Sequence, residues 1–225
     1  MPGGLKRGQI HQPKQDDGRG GLHDRGLMNY LAHAVLAEAS AQSLVGNLLG
    51  DFCKGVDLRT VSPSVLAGLA NHRAVDRYTD AHILVQQAKH LFSPQRRRFA
   101  GVALDVLFDY FLIKHWSLFY ADSFPAAKTE LYRRLALAEP LMPATMLPSM
   151  QRLRQQDWFS VYQELRGVGS VLDHIAGRLR FKNHFNDCLD DIKPNYVQLE
   201  QVFLQFFPSL LFHNQQWGLA RKDSE

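Results

Sequence analysis

The sequence has few cysteines and no long apolar segment, and both shortages exclude classes of protein. Its 225 residues contain two cysteines, Cys53 and Cys188, and neither has a second cysteine nearby for a zinc site or a disulfide framework. Nothing indicates an oxidising compartment, so we expect a cytoplasmic protein. No stretch reaches the roughly 18 consecutive apolar residues of a transmembrane helix, so no membrane span is predicted.

Several signatures of enzymes and nucleic-acid binders are also missing. The chain has no Gly-rich phosphate loop, no G-x-S-x-G elbow and no Cys–His nucleophile pattern. No run alternates apolar and polar residues between hairpin turns, so no sheet is predicted. The net charge is +4, of which residues 1–27 carry +2, and such a nearly neutral body argues against general nucleic-acid binding.

The ends of the chain differ in composition from the middle. Residues 1–27 are rich in Gly, Pro, Gln and charge, which is typical of a disordered extension, and they lack the apolar segment of a secretory signal. Residues 28–213 are predicted to form one helical domain, and the polar residues 214–225 a frayed tail.

Helical periodicity and helix-start signals divide this domain into about seven or eight helices, so the predicted fold class is all-α. After a first helix over 29–39, Ser43 is the expected N-cap of a second helix that runs to about Lys54. Ser62–Pro63 and Ser93–Pro94 each place a proline after an N-cap and each predict the start of a long helix. Further helices are expected at about 125–138, 148–165, 168–182 and 185–207.

The two long helices carry pairs of metal-ligand side chains. His72 and Asp76 are four residues apart on one helix, and Asp105 and Asp109 are four apart on the next. Residues with this spacing lie on one helix face, one turn above the other. If the helices face each other, one imidazole and three carboxylates meet, a set that suits Mn²⁺, Fe²⁺ or Mg²⁺ better than a thiolate-binding metal.

The carboxylates Asp105 and Asp109 interrupt a strongly apolar helix, where a charge is costly unless it is paired or binds a metal. The alternative to a metal site is therefore ion pairing with Arg73 and Arg77 of the preceding helix.

The first two helices add further candidates. Asp51 ends the apolar segment GNLLGDF and is either another ligand or a capping or surface carboxylate. His33 is either a ligand or a buried histidine with a structural hydrogen bond. Gly46 and Gly50 lie four apart, and this spacing predicts the close approach of another helix or a ligand.

Four segments together resemble the acyl carrier protein phosphodiesterases, a distant branch of the HD-type metal-dependent phosphohydrolases. They are MNYLAHAVLA (28–37), SLVGNLLGDF (43–52), NHRAVDRYTD (71–80) and ALDVLFDYFLIKHW (103–116). The resemblance implies an all-helical, HD-like fold. It also implies hydrolysis of the phosphodiester that joins 4′-phosphopantetheine to a serine of holo-acyl carrier protein, with Mn²⁺ as the expected cofactor and Mg²⁺ or Fe²⁺ as alternatives.

The motifs of this family also imply site residues. They place the metal site at Asp51, His72, Asp76, Asp105, Asp109 and His33, and we assign the catalytic roles to His72, Asp76 and Asp105. Tyr110 stands where the family pattern has a histidine, so this sequence departs from the pattern at that position. The implied protein substrate is acidic, and a local basic patch would steer it. The candidates for that patch are Arg96, Arg97, Arg98, Lys54 and Arg59.

The residues alone leave two other functions open. A metal phosphohydrolase of nucleotides or other small phosphoesters would use the same site without a docking patch. A non-catalytic helical binding module, with its carboxylates paired to arginines, would bind no metal. Neither nucleic acid nor a membrane is an expected partner, and the sequence does not fix the oligomeric state.

Overall fold

The structure, a computed structural model, describes residues 30–179 and 183–222, and these form an all-α fold as predicted. Within them there are eleven α-helices and no strand, and eight of the helices have seven or more residues. The predicted extension 1–27 lies outside the described residues. The helices are α1 Tyr30–Val35, α2 Ala41–Leu49, α3 Pro63–Ala81, α4 Ile83–Lys89, α5 Ala100–Lys114, α6 Phe124–Ala138, α7 Leu147–Gln155, α8 Trp158–Val161, α9 Leu165–Arg178, α10 Leu189–Ile192 and α11 Tyr196–Lys222.

Helix α5 lies at the centre of the core, because its apolar side chains are buried on nearly all sides. Helices α1, α4, α9 and α11 pack around it, and α2 packs most extensively on α3. At the α2–α3 contact a Cβ on Gly46 would lie 2.6 Å from the Cα of Gly68. The close helix approach predicted at Gly46 is therefore confirmed, and it brings α3 against the end of α2.

Of two predicted helix N-caps, one is confirmed and the other is wrong. The Ser62 hydroxyl accepts a hydrogen bond from an amide in the first turn of α3, and this start is confirmed. The N-cap of α2 is Ser40, whose hydroxyl accepts a hydrogen bond from the Ser43 amide at 3.1 Å. Ser43 therefore lies inside the first turn, and its prediction as N-cap is wrong.

The helix predicted to open at Ser93–Pro94 begins later. The amide and hydroxyl of Ser93 both donate to Asp191 Oδ2, at 3.0 and 2.8 Å. The serine side chain is therefore engaged in a tertiary contact and cannot cap a helix. A turn and a short 3₁₀ segment follow, and α5 begins at Ala100.

Two further boundaries differ from the predicted ones. The helix expected over 148–165 is split into α7 and α8, because Asp157 adopts a left-handed conformation with φ 47°. Helix α4 was not predicted separately, since only His82 separates it from α3 and no Gly or Pro marks the boundary.

At the carboxyl end, the helix predicted over 185–207 is two helices, α10 and α11, with Pro194 between them. Helix α11 passes through Pro208 and continues beyond Asn214, where a frayed tail was expected, to Lys222. Asn214 Nδ2 donates to the Leu36 carbonyl at 3.1 Å, which holds this part of α11 against the end of α1. Of the described helices, none is long and apolar enough to span a membrane.

Candidate metal centre and active site

A cavity of about 100 Å³ lies between α1, α3, α5 and α11, with one polar and one apolar side. The polar side is made by His33, Asp51, His72, Asp76, Asp80 and Asp105. The apolar side is made chiefly by Phe108, Phe203, Phe206, Phe207 and Leu210. The cavity therefore brings together all the predicted metal-site residues except Asp109.

His33 and His72 face the two oxygens of the Asp76 carboxylate. His33 Nε2 lies 3.2 Å from Oδ1, and His72 Nε2 lies 3.1 Å from Oδ2. The two imidazole rings are buried and stack with their centroids 4.0 Å apart. One ligand atom from each of the three residues lies within 4.8 Å of the other two, a spacing that can hold one metal ion.

The backbone of α2 orients the His72 ring. The Asn47 carbonyl oxygen lies 2.7 Å from His72 Nδ1, and a carbonyl can only accept a hydrogen bond. Nδ1 therefore carries a proton, and Nε2 is directed at Asp76, the arrangement that fixes a metal-binding imidazole. The ring occupies the space where a Cβ on Gly50 would be, so the close approach predicted at Gly50 is confirmed.

The electrostatics of this triad favour an ionised Asp76. Burial opposes ionisation of Asp76, but its hydrogen bonds with His33 and His72 outweigh burial and lower the pKa of its carboxyl. Burial also opposes protonation of His72, but the hydrogen bond with Asp76 and the charges of Asp76 and Asp51 raise its pKa above the ordinary value. Burial and the charge of His72 lower the pKa of His33.

Asp51 and Asp105 bring further negative charge to the cavity. Asp51 Oδ2 is buried without a hydrogen-bond partner, and burial together with the charge of Asp76 raises the pKa of this carboxyl to about 7. Burial, followed by the charges of Asp76, Asp80 and Asp51, raises the pKa of Asp105 well above its ordinary value. Within the described ranges, neither Arg73 nor Arg77 forms an ion pair with Asp105.

These residues fit a divalent cation. Carboxylates that lie close together repel one another, and a cation between them would lower that cost. The unpartnered Asp51 Oδ2 is an oxygen available to such an ion. Two imidazole nitrogens with several carboxylate oxygens form a donor set that suits Mn²⁺ or Fe²⁺.

Comparison with known families identifies the family of the chain. The family model described as acyl carrier protein phosphodiesterase matches residues 28–210. The chain belongs to the acyl carrier protein phosphodiesterase family. It is similar to the acyl carrier protein phosphodiesterases of Serratia proteamaculans (36% identical over 189 residues) and Yersinia enterocolitica (36% over 185), and each match covers 82% of this chain and 96% of the relative. The enzyme of that name from Escherichia coli O157:H7 is 34% identical over 186 residues, with the same coverage, and no solved structure matches significantly.

In this member of the acyl carrier protein phosphodiesterase family, Asp109 lies apart from the other predicted ligands. The amides of Leu31 and Ala32 donate to its Oδ2 and Oδ1 at 3.1 and 2.9 Å. Its fully buried carboxylate thus satisfies the first turn of α1, the helix that carries His33. We therefore interpret Asp109 as a residue that positions His33, and the structure does not bring it together with the other predicted ligands.

The predicted basic patch also lies apart from the cavity, whose described lining contains no arginine or lysine. Arg96 Nη1 pairs with Asp191 at 3.3 Å, Arg97 donates to a backbone carbonyl, and Arg59 pairs with its neighbour Asp57. The remaining two members of the predicted patch, Arg98 and Lys54, are exposed.

Two exposed arginines of α3 are closer to the candidate site of this family member. Arg73 and Arg77 line an open depression of about 500 Å³ together with Asp76 and Asp80, and both aspartates also line the cavity. The depression therefore adjoins the cavity and has two cations in its lining.

Sequence reasoning missed Asn47 as a site residue. Asn47 is fully buried, and its side-chain oxygen accepts a hydrogen bond from Asn71 at 2.9 Å while its backbone carbonyl holds His72. An asparagine within the apolar segment SLVGNLLGDF is a signal that could have identified it, because a buried amide needs partners.

Proposed function

We propose that this cavity hydrolyses the phosphodiester between 4′-phosphopantetheine and a serine of holo-acyl carrier protein. The observation that carries the proposal is the cluster of His33, His72 and Asp76, with ligand atoms within 4.8 Å, in a chain that belongs to the acyl carrier protein phosphodiesterase family. Relatives of that name support the carrier protein as substrate.

In this proposal, His33, Asp51, His72, Asp76 and Asp105 hold a divalent cation, with Mn²⁺ the expected ion. A bound cation of this kind polarises phosphoryl oxygens and lowers the pKa of water. The Asn47 carbonyl keeps the Nδ1 proton of His72 away from the reacting centre. The aromatic side of the cavity limits the access of bulk water.

The proposed reaction is a hydrolysis that consumes one water molecule. The water oxygen forms a bond to phosphorus, and the bond between phosphorus and the serine oxygen breaks. The serine oxygen takes up a proton, so the products are apo-carrier protein and free 4′-phosphopantetheine.

We further propose that the acidic carrier protein docks at Arg73 and Arg77 rather than at the basic patch predicted from sequence. The two guanidinium groups lie in the depression beside the cavity, where they can contact carboxylates of the carrier beside the modified serine. Complementary charge at this position would speed association and orient the substrate.

Mass spectrometry of holo-acyl carrier protein, incubated with the protein and Mn²⁺, tests the proposed function. We expect the carrier to lose the mass of the arm, and we expect Asp76→Ala to stop this loss while far-UV circular dichroism stays unchanged. A panel of nucleotides is the control for the small-phosphoester alternative. Full activity of Asp76→Ala with Mn²⁺ present would show that the site is wrong.

A further inference from the structure

A second and larger cavity lies beside the candidate active site. It has a volume of about 740 Å³ and lies between the end of α1, the start of α2, the first half of α3 and the end of α11. We call it the α3–α11 groove, and Glu38, Ser64, Asn71, Asn214 and Trp217 are among its lining residues. Its volume is within the range of ligand-binding pockets, whereas the catalytic cavity is too small for more than the reacting groups.

The chemistry of the groove suits a neutral ligand with amide groups. Glu38 is the one ionisable side chain among its described lining residues, which otherwise present amides, hydroxyls and apolar surface. Such a lining has no cation to bind a phosphate. Asn214 Oδ1 and Trp217 Nε1 are buried without a hydrogen-bond partner, so one acceptor and one donor are left unsatisfied. An amide ligand carries both complementary groups.

The position of the groove follows from the geometry of α3. Residues of this helix that line the groove, such as Gly68 and Asn71, lie on one side of the face that carries His72 and Asp76. Arg73 lies on the opposite side of that face. A substrate with its phosphodiester at the cavity would therefore extend toward the arginines in one direction and toward the groove in the other.

We propose that the α3–α11 groove binds the pantetheine part of the substrate, an inference that rests on the proposed function. This arm has a hydroxyl, two amides and a terminal thiol, and it carries no charge beyond its phosphate. Its extended length is about 15 Å, by the reach of a backbone with the same number of bonds. Along α3, Ser64 lies roughly 18 Å from Asp76 at 1.5 Å per residue, so the arm reaches most of the groove.

Filling the groove tests this inference. Ser64 is exposed at the start of α3, so Ser64→Trp would place a large ring in the groove. Gly218→Leu is a second variant on the opposite wall, where an added Cβ meets only Glu38 Oε1, at 3.8 Å. The matched control is Ser170→Trp, since Ser170 is an exposed helical serine outside both cavities. The measurements are the KM for release of the arm from holo-carrier protein and the Kd for pantetheine, the phosphate-free arm, by isothermal titration calorimetry.

We expect both groove variants to raise the KM and the pantetheine Kd by about tenfold or more, and we expect Ser170→Trp to leave both unchanged. Values in both groove variants equal to those of Ser170→Trp would overturn the inference. A change of oligomeric state in both groove variants, with an unchanged pantetheine Kd, would also overturn it, because the groove would then be an interface between copies. If wild-type protein releases no arm yet binds pantetheine in a groove-dependent way, the proposed function fails and the binding groove stands.

Discussion

At the scale of the residue, Asp105 has opposite effects on folding stability and on the proposed function. Burial and the charges of neighbouring aspartates raise its pKa in the folded protein. When the pKa of a carboxyl is higher in the folded state than in the unfolded state, the protein loses stability as the pH rises from the unfolded-state value through the folded-state value. At neutral pH and without a cation, the raised pKa of Asp105 therefore lowers the stability of the fold.

We expect Asp105→Asn to raise the metal-free free energy of unfolding by about 1–2 kcal/mol, because the amide keeps the shape and removes the charge. We also expect release of the arm to fall by roughly a hundredfold or more, since a carboxylate oxygen is lost from the proposed cation site. Urea denaturation with a chelator gives the first value and the carrier assay the second. Unchanged activity in this variant would remove Asp105 from the site.

Burial also raises the pKa of Asp109, four residues further on, to about 7, but we expect its replacement to destabilise the fold because its hydrogen bonds hold the start of α1. Its two oxygens accept amides of Leu31 and Ala32, and an asparagine can accept at only one of its two positions. We expect Asp109→Asn to lower the free energy of unfolding by about 1–3 kcal/mol, while Mn²⁺ stoichiometry in the folded protein stays as in wild type. Elemental analysis after gel filtration measures that stoichiometry. A fully folded variant without metal would restore Asp109 as a ligand.

At the scale of the element, the junction of α2 and α3 depends on glycine. A Cβ on Gly50 would collide with the His72 ring, whereas a Cβ on Gly177 in α9 meets nothing within 4 Å. We expect Gly50→Ala to lower stability by about 1–3 kcal/mol and to reduce activity, because the imidazole must move. The matched control Gly177→Ala should raise stability by about 0.5–1 kcal/mol. Thermal unfolding of both variants measures the contrast, and equal effects would show that Gly50 is not tightly packed.

The elements also show what local sequence can predict. The pairing of His72 with Asp76 follows from helical spacing alone, and the structure has both side chains in one cavity. The identical spacing of Asp105 and Asp109 does not bring both side chains into the cavity. Helix α5 is apolar on nearly every side, so its periodicity does not show which face contacts α1.

The prediction of a helix start at Ser93 was wrong for a related reason. Ser62 and Ser93 have the same local chemistry, yet Ser93 is engaged by Asp191, 98 residues further along the chain. The contact of His33 and Asp51 with the cavity residues of α3 likewise depends on tertiary packing. Without the family motifs, sequence spacing does not decide whether either residue is a metal ligand or a structural residue.

At the scale of the whole molecule, net charge and local charge have different roles. The chain carries only +4, but two exposed arginines, Arg73 and Arg77, lie in the depression beside the cavity, where side chains of an acidic carrier could pair with them. We expect the double variant Arg73→Glu, Arg77→Glu to lower kcat/KM for holo-carrier protein by roughly tenfold or more at low salt, with a weaker salt dependence than wild type. Initial rates across a series of salt concentrations measure both quantities.

The control for this experiment is Arg152→Glu with Arg166→Glu, which changes the net charge equally at exposed positions outside the cavity and the depression. If this control lowers kcat/KM as much as the Arg73→Glu, Arg77→Glu variant, then general charge, and not docking at α3, governs association.

The central claim is that water attacks the phosphorus atom of the carrier-bound arm in the cavity of His33, His72 and Asp76. The most direct measurement is mass spectrometry of both products after reaction with Mn²⁺ in water enriched in heavy oxygen. We expect the label in the released 4′-phosphopantetheine and an unlabelled apo-carrier with its serine intact. A carrier that keeps its arm, carries the label itself or has lost the serine oxygen by elimination would contradict the account.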